Sequence, residues 1–191
     1  MNIGFLSTRF AGTDGVSLEA TKLAEILRRS GHKSYFCAGK LDKKEEISYL
    51  VPKMNFNHPI ISKIQQNAFS EGSRKHLLGQ IEKIAEELER EIEKFINTYD
   101  IQILFTQNAQ SIPMNLPLGI ALGNYIEKNS FPTIAHHHDF WWERDRFQQS
   151  RVEGILKKYF PPKINCSRDV VINSIARDEL NTRTGISPTV L

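Results

Sequence analysis

The sequence predicts an α/β fold in which a single parallel sheet is covered by helices on both faces. Short runs that are apolar throughout, such as "NIGFLS", "IQILFTQ" and "PTIAHHH", alternate with longer stretches whose apolar residues recur at spacings of three and four. The strand-like runs show no polar side, which is the mark of strands buried on both faces of a parallel sheet. Strict alternation of strand and helix gives a Rossmann-like, doubly wound arrangement. A chain of 191 residues with 40% apolar content is long enough for one well-buried domain, so 1–191 is expected to form a single unit.

The first strand runs from about Ile3 to Ser7. In the helix that follows, Val16, Ala20, Leu23, Ala24 and Leu27 share one face, and Gly31 stops it. "KSYFCAG" reads as a buried strand. The polar, proline-punctuated "KLDKKEEISYLVPKMNFNHP" is expected to be a long loop with at most a short strand, and a helix can start after Pro59. From about Ser73 to Thr98 a second amphipathic helix buries Ile81, Ile84, Ala85, Leu88, Ile92, Phe95 and Ile96 and turns a charged face to solvent. The strand "IQILFTQ", a helix near Leu116 to Lys128 and the strand "PTIAHHH" come next. A long helix is expected within Trp141 to Tyr159, then the strand "DVVINS" ending at Ser174 and a last helix to about Thr184.

Composition narrows the function classes. The two cysteines, Cys37 and Cys166, form neither a disulfide framework nor a Cys-x-x-Cys metal site. The net charge of +3 is spread among acidic residues instead of forming a nucleic-acid stripe. Met1 opens directly into a strand without the features of a signal peptide, and no apolar run has transmembrane length, so a soluble, cytoplasmic protein is expected.

In doubly wound sheets ligands collect beyond the carboxyl ends of the strands, so the segments to search are "TRFAGTDG", "NAQSIP", "HHHDFWWERDRF" and "NSIA". The first places Gly12 and Gly15 where a helix begins, and unpaired N–H groups at the positive end of a helix dipole suit a phosphate oxygen. The spacing is neither the Gly-x-Gly-x-x-Gly of dinucleotide binders nor a P-loop. An ordinary β–α turn, with both glycines at positive φ and Asp14 as the cap, is the competing reading. In "AHHHDFWWERDRF", His136 and His138 should share one side of the strand and His137 the other. Helical His-x-x-x-His spacing is absent, which argues against a metal site. His136 and His137 read as satisfied buried imidazoles, while His138, beside Asp139 at the ligand-facing edge, is the candidate functional group. Trp142, Arg144 and Arg146 add flat faces and forked donors suited to sugars and phosphate, or else to helix packing and surface ion pairs.

These same segments, together with the closing "VVINSIARDELNTRTGISPTVL", carry a resemblance through nearly the whole chain. It resembles the N-terminal domain of a glycosyltransferase family 4 enzyme, a retaining, sugar-nucleotide-dependent transferase built from two Rossmann domains in the GT-B architecture. The resemblance implies a C-terminal, donor-binding domain outside this sequence, so the chain is expected to be the acceptor-side half of a larger enzyme and poorly active alone. It implies a nucleotide-sugar donor, a sugar, lipid or small-molecule acceptor, no cofactor and no nucleic acid, with peripheral membrane contact left open. It also implies that Gly12, Thr13, Asp14 and Gly15 offer N–H groups to the donor diphosphate, that His138 orients the transferring sugar, and that Asn108, Asp139, Trp142, Arg144 and Arg146 shape the acceptor pocket. The family loop often has adjacent glycines, whereas Gly12 and Gly15 are separated by Thr13 and Asp14. A non-catalytic sugar- or nucleotide-binding module acting through a partner, and a metal hydrolase built on the histidine run, are the other classes considered.

Overall fold

A computed structural model describes residues 1–70 and 76–191. Its strands are β1 (Asn2–Leu6), β2 (Lys33–Ala38), β3 (Ser48–Leu50), β4 (Ile103–Gln107), β5 (Thr133–His137), β6 (Ser167–Val171) and β7 (Thr189–Val190). All pair in parallel, in the order β3-β2-β1-β4-β5-β6-β7. The helices are α1 (Gly15–Arg29), α2 (Pro59–Phe69), α3 (Leu77–Tyr99), α4 (Leu116–Asn129), α5 (Glu153–Tyr159) and α6 (Ser174–Thr184). The expected doubly wound, Rossmann-like α/β fold is therefore present. The expected start of the long helix at Ser73 lies outside the described residues; its body is α3.

Successive side chains of a strand point to opposite faces, and here they feed separate cores. Phe5 lies in register with Phe36 and Phe105 and stacks between them at 5.3 and 5.1 Å, forming with Ala20 of α1 the core on one side. Leu6, Cys37 and Leu104 enter the larger core on the other side, where α3 and α4 pack together. A Cβ on Gly4 would come within 2.7 Å of the Phe95 ring, so glycine at this position lets α3 lie close on β1. Asn115 caps α4 through Leu118 N and donates to the carbonyls of Lys53 and Met54, which fixes the loop that carries Phe56 to the upper edge of the sheet.

The long helix expected within Trp141 to Tyr159 does not form. Two 3-10 turns, Trp141–Glu143 and Asp145–Phe147, precede the short α5. Phe140 and Trp142 pack into the cluster around Val171 and Leu180, while Trp141 between them packs into the larger core. Neighbours that must bury in different cores cannot share a helical face. The sixth strand also ends earlier than "DVVINS" suggests, because Asn173 turns out of the sheet to cap α6, accepting from Ala176 N at 2.8 Å. Among the described residues no helix is long and apolar enough to cross a membrane.

Candidate functional site

The strand order reverses between β1 and β4, and the segments leaving these two strands diverge around a crevice. Ser7, Thr8, Arg9, Asp14 and Val16 line it from the β1 side, Asn108, Ile112 and Met114 from the β4 side, and Phe56, Arg144 and Arg146 close it, leaving a cavity of about 230 Å³. A second cavity of about 360 Å³ runs toward α2 and shares Phe56, Met114 and Arg146 with the first.

At the β1 exit, Gly12 has φ +84°, which only glycine adopts cheaply. Gly15 does not; it begins α1 without a positive φ, so the expectation that both glycines need it is corrected. Asp14 caps the helix, accepting from Ser17 N at 3.2 Å, Ser17 Oγ at 2.9 Å and Arg9 at 3.0 Å. Burial works against ionisation of Asp14, yet the bonds from Ser17 and Arg9 hold its carboxyl below the ordinary value. Gly12 N–H donates to Asp42 Oδ2 at 2.7 Å, and this bond, with help from Lys43, lowers the Asp42 carboxyl. A carboxylate thus occupies one of the N–H groups that the turn offers to an anion. A Cβ on Gly12 or Gly15 would meet nothing within 4 Å, so both glycines border open space.

At the exits of β4 and β5 five residues form one network. Asn108 sits at φ +56°, held by its N–H bond to His136 O at 2.9 Å. Its Oδ1 accepts from Ser111 Oγ at 2.6 Å and His138 N at 3.1 Å, and its Nδ2 donates to Asp139 Oδ1 at 2.7 Å. The other oxygen of Asp139 takes Arg144, whose Nε lies 2.7 Å away. Arg144 is thereby aimed into the cavity.

The three histidines have three environments. His137 is buried and donates from Nε2 to Asp169 Oδ1 at 2.8 Å, across the register from β5 to β6. His138 contacts Gln107 Oε1 through Nε2 at 2.9 Å; an amide oxygen only accepts, so Nε2 carries the proton and Nδ1 is left as an acceptor. Burial lowers its pKa, while Asp139, Glu19 and Asp14 pull the other way, and the net direction is down. Its ring lies 4.3 Å from that of His136, as expected for residues on one side of a strand. His136 is not the satisfied imidazole expected from the sequence: both ring nitrogens are buried without a partner among the described residues. Burial, then the neighbouring His138 and His137, push its pKa down to about 3 from the ordinary 6.5.

This shift makes a pH prediction. Between pH 6.5 and about 3 the unfolded chain binds a proton at position 136 that the folded chain refuses. Stability is therefore complete above pH 6.5 and falls as pH drops through that window, by about 1.4 kcal/mol per pH unit from this group, with His138 adding in the same sense. Denaturant unfolding at pH 7, 6 and 5 checks it, and flat stability would show that His136 is not held neutral.

Asn108, Asp14, Arg144 and Arg146 line the crevice and Asp139 stands behind Arg144; the Gly12–Gly15 turn reaches the rim through Asp14, while Gly12, Thr13 and Gly15 themselves do not line it. His138 stands beside the crevice without lining it, within reach of the charges of Asp14 and Glu19. Trp142 is not brought to either cavity: it stacks on Phe140 at 4.5 Å, with Arg183 5.2 Å over its ring. Arg9 and Gln107 also belong to the site; no motif marks them, and their place at strand exits is the one signal in the sequence. Among the described residues no group of three or more His, Cys, Asp and Glu side chains is placed to hold a metal ion.

No protein-family model matches the chain. Two curated relatives are similar to it along its whole length: a mannosylglucosylglycerate synthase from Thermotoga maritima at 34% identity and another from Petrotoga mobilis at 29%, each over 197 aligned residues. Both relatives are glycosyltransferases. The chain spans 44% of the length of each of these relatives.

Proposed function

We propose that the chain is the acceptor-side, N-terminal half of a retaining glycosyltransferase of the family 4 type, with GT-B architecture. The observation that carries this reading is the crevice at the strand-order reversal, bounded by the β1 exit and Asp14 on one side and by arginines on the other, in a chain similar throughout to sugar-transferring enzymes. A donor-binding domain following this one would close over the crevice and supply further basic groups for the leaving diphosphate.

In the front-face reaction, the acceptor hydroxyl oxygen bonds to the anomeric carbon as the bond from that carbon to the diphosphate breaks. The hydroxyl proton passes to a phosphate oxygen. The chain's own task is positioning and charge stabilisation. His138 Nδ1, free to accept, orients a sugar hydroxyl, and the rim turn presents its N–H groups to the diphosphate, which competes with Asp42 for Gly12. The cytoplasm is the expected compartment for such a donor.

The relatives' name ends in a glycerate unit, which makes glucosylglycerate the first acceptor to try. The test supplies the complete protein with a panel of nucleotide sugars, GDP-mannose among them, and reads product formation and anomeric configuration by NMR. Product of inverted configuration would remove the retaining assignment, and no transfer from any donor would favour the binding-module reading. A variant reports on the turn itself. Because a side chain at position 15 enters open space without requiring positive φ, Gly15→Val should leave the melting temperature nearly unchanged while raising the donor KM by about tenfold through its bulk beside the diphosphate. Normal donor kinetics in the folded variant would make the turn purely structural.

A further inference from the structure

Phe147 is buried and edge-on to Phe69 at 4.9 Å, which anchors the second 3-10 turn and sets Arg146 at the mouth shared by the two cavities. The guanidinium is held there by neutral groups: Nη2 lies 2.8 Å from Met114 Sδ, and the central carbon 4.6 Å from the Phe147 ring centre. Arg9 and Arg144, the other cations of the crevice, are paired with Asp14 and Asp139. Among the described residues Arg146 has no carboxylate within 4.0 Å.

The cavity toward α2 differs from the crevice in its chemistry. Asn57, Ser62, Gln65, Gln66 and Ser70 provide amides and hydroxyls, three phenylalanines provide flat faces, and Arg146 is the one charged side chain among the described lining residues. Amides and hydroxyls match the hydroxyls of a sugar, and aromatic faces match its C–H surface. A planar guanidinium without a counter-ion matches one carboxylate, by paired N–H bonds. Partial desolvation and the positive charge of Arg144 lower the pKa of the Arg146 guanidinium, against the opposing pull of Asp139, a direction that an arriving anion would reverse. A diphosphate is less well matched, since the Gly12–Gly15 turn reaches the smaller cavity through Asp14 and contributes nothing to this one.

Resting on the glycosyl-transfer reading, we propose that the cavity of about 360 Å³ is the acceptor subsite for an acidic glycoside, and that Arg146 binds its carboxylate. Arg146 is then a specificity residue, selecting glycerate-bearing acceptors over their uncharged glycerol counterparts.

The experiment compares glucosylglycerate with glucosylglycerol as acceptors for the complete protein, wild type and Arg146→Ala, with Arg146→Lys as the conservative variant. The ratio of kcat/KM for the charged over the uncharged acceptor should fall by about 10²-fold in Arg146→Ala and by less in Arg146→Lys. An unchanged ratio, or a loss seen in donor KM instead of acceptor KM, would overturn the assignment. Calorimetric titration of glucosylglycerate separates this inference from the reading beneath it. If no sugar is transferred to either acceptor but wild type binds glucosylglycerate and Arg146→Ala does not, the carboxylate site stands and the transferase reading falls. If transfer proceeds with the same acceptor preference in both proteins, the transferase reading stands and the carboxylate site falls.

Discussion

Replacing His138 by Ala in the complete protein is expected to lower kcat/KM about 10²-fold, a loss of about 2.7 kcal/mol in transition-state stabilisation, well beyond what the modest stability loss from unpairing Gln107 Oε1 accounts for. The expectation rests on where the imidazole is held and on which nitrogen is spoken for. Nε2 is committed to Gln107, so Nδ1 is the nitrogen left to meet a substrate hydroxyl, and burial keeps the ring neutral at pH 7. His137→Ala is the contrasting variant. It removes the buried partner of Asp169 and should act through stability, costing about 3 kcal/mol, because an acceptor between two strands is left unpaired. Steady-state kinetics and thermal melts on both variants check the pair of outcomes. A fully active His138→Ala beside an inactive but stable His137→Ala would mean that the site lies on the other side of β5.

The features legible in the sequence are those with a local cause. Apolar runs without a polar side gave the parallel strands, and Asp14 at the start of an apolar periodicity gave a capped helix. Alternation along β5 placed His136 and His138 on one side and His137 on the other, as their 4.3 Å ring separation and the His137–Asp169 bond show. What escaped depends on contacts between distant segments. That Asp42 takes the Gly12 N–H joins positions separated by the whole of α1 and β2, and no spacing rule links them. Most buried imidazoles are satisfied, so the sequence predicts a partner for His136; its lack of one depends on the tertiary surroundings, which no local pattern encodes. The segment after His138 has helix-forming charges in "ERDR", yet its aromatic residues are divided between two cores, and burial outweighs propensity there. The same division explains why Trp142 packs inside while Arg144 and Arg146, further along the chain, reach the crevice.

Asn108→Ala is expected to combine a stability loss of about 3 kcal/mol with a fall in kcat/KM of about 10²-fold, although Asn108 itself has no proton to move. Two effects contribute to the stability term. The residue sits at φ +56°, where asparagine is tolerated and alanine is strained by about 1 kcal/mol, and its side chain makes bonds to Ser111, His138 and Asp139 that alanine cannot replace. Asn108→Gly separates these effects, since glycine accepts the backbone angle but leaves the same groups unpartnered. The activity term follows from the network's geometry. Without Nδ2, one oxygen of Asp139 loses its anchor, and the Arg144 guanidinium that depends on Asp139 loses its aim into the crevice; without Oδ1, the backbone at His138 is released where the imidazole must be held. If Asn108→Gly recovers the melting temperature in part but not the kcat/KM, positioning through the side chain is established. Should Asn108→Gly restore both, the residue serves only to turn the chain out of β4, and His138, Asp139 and Arg144 are oriented by other contacts.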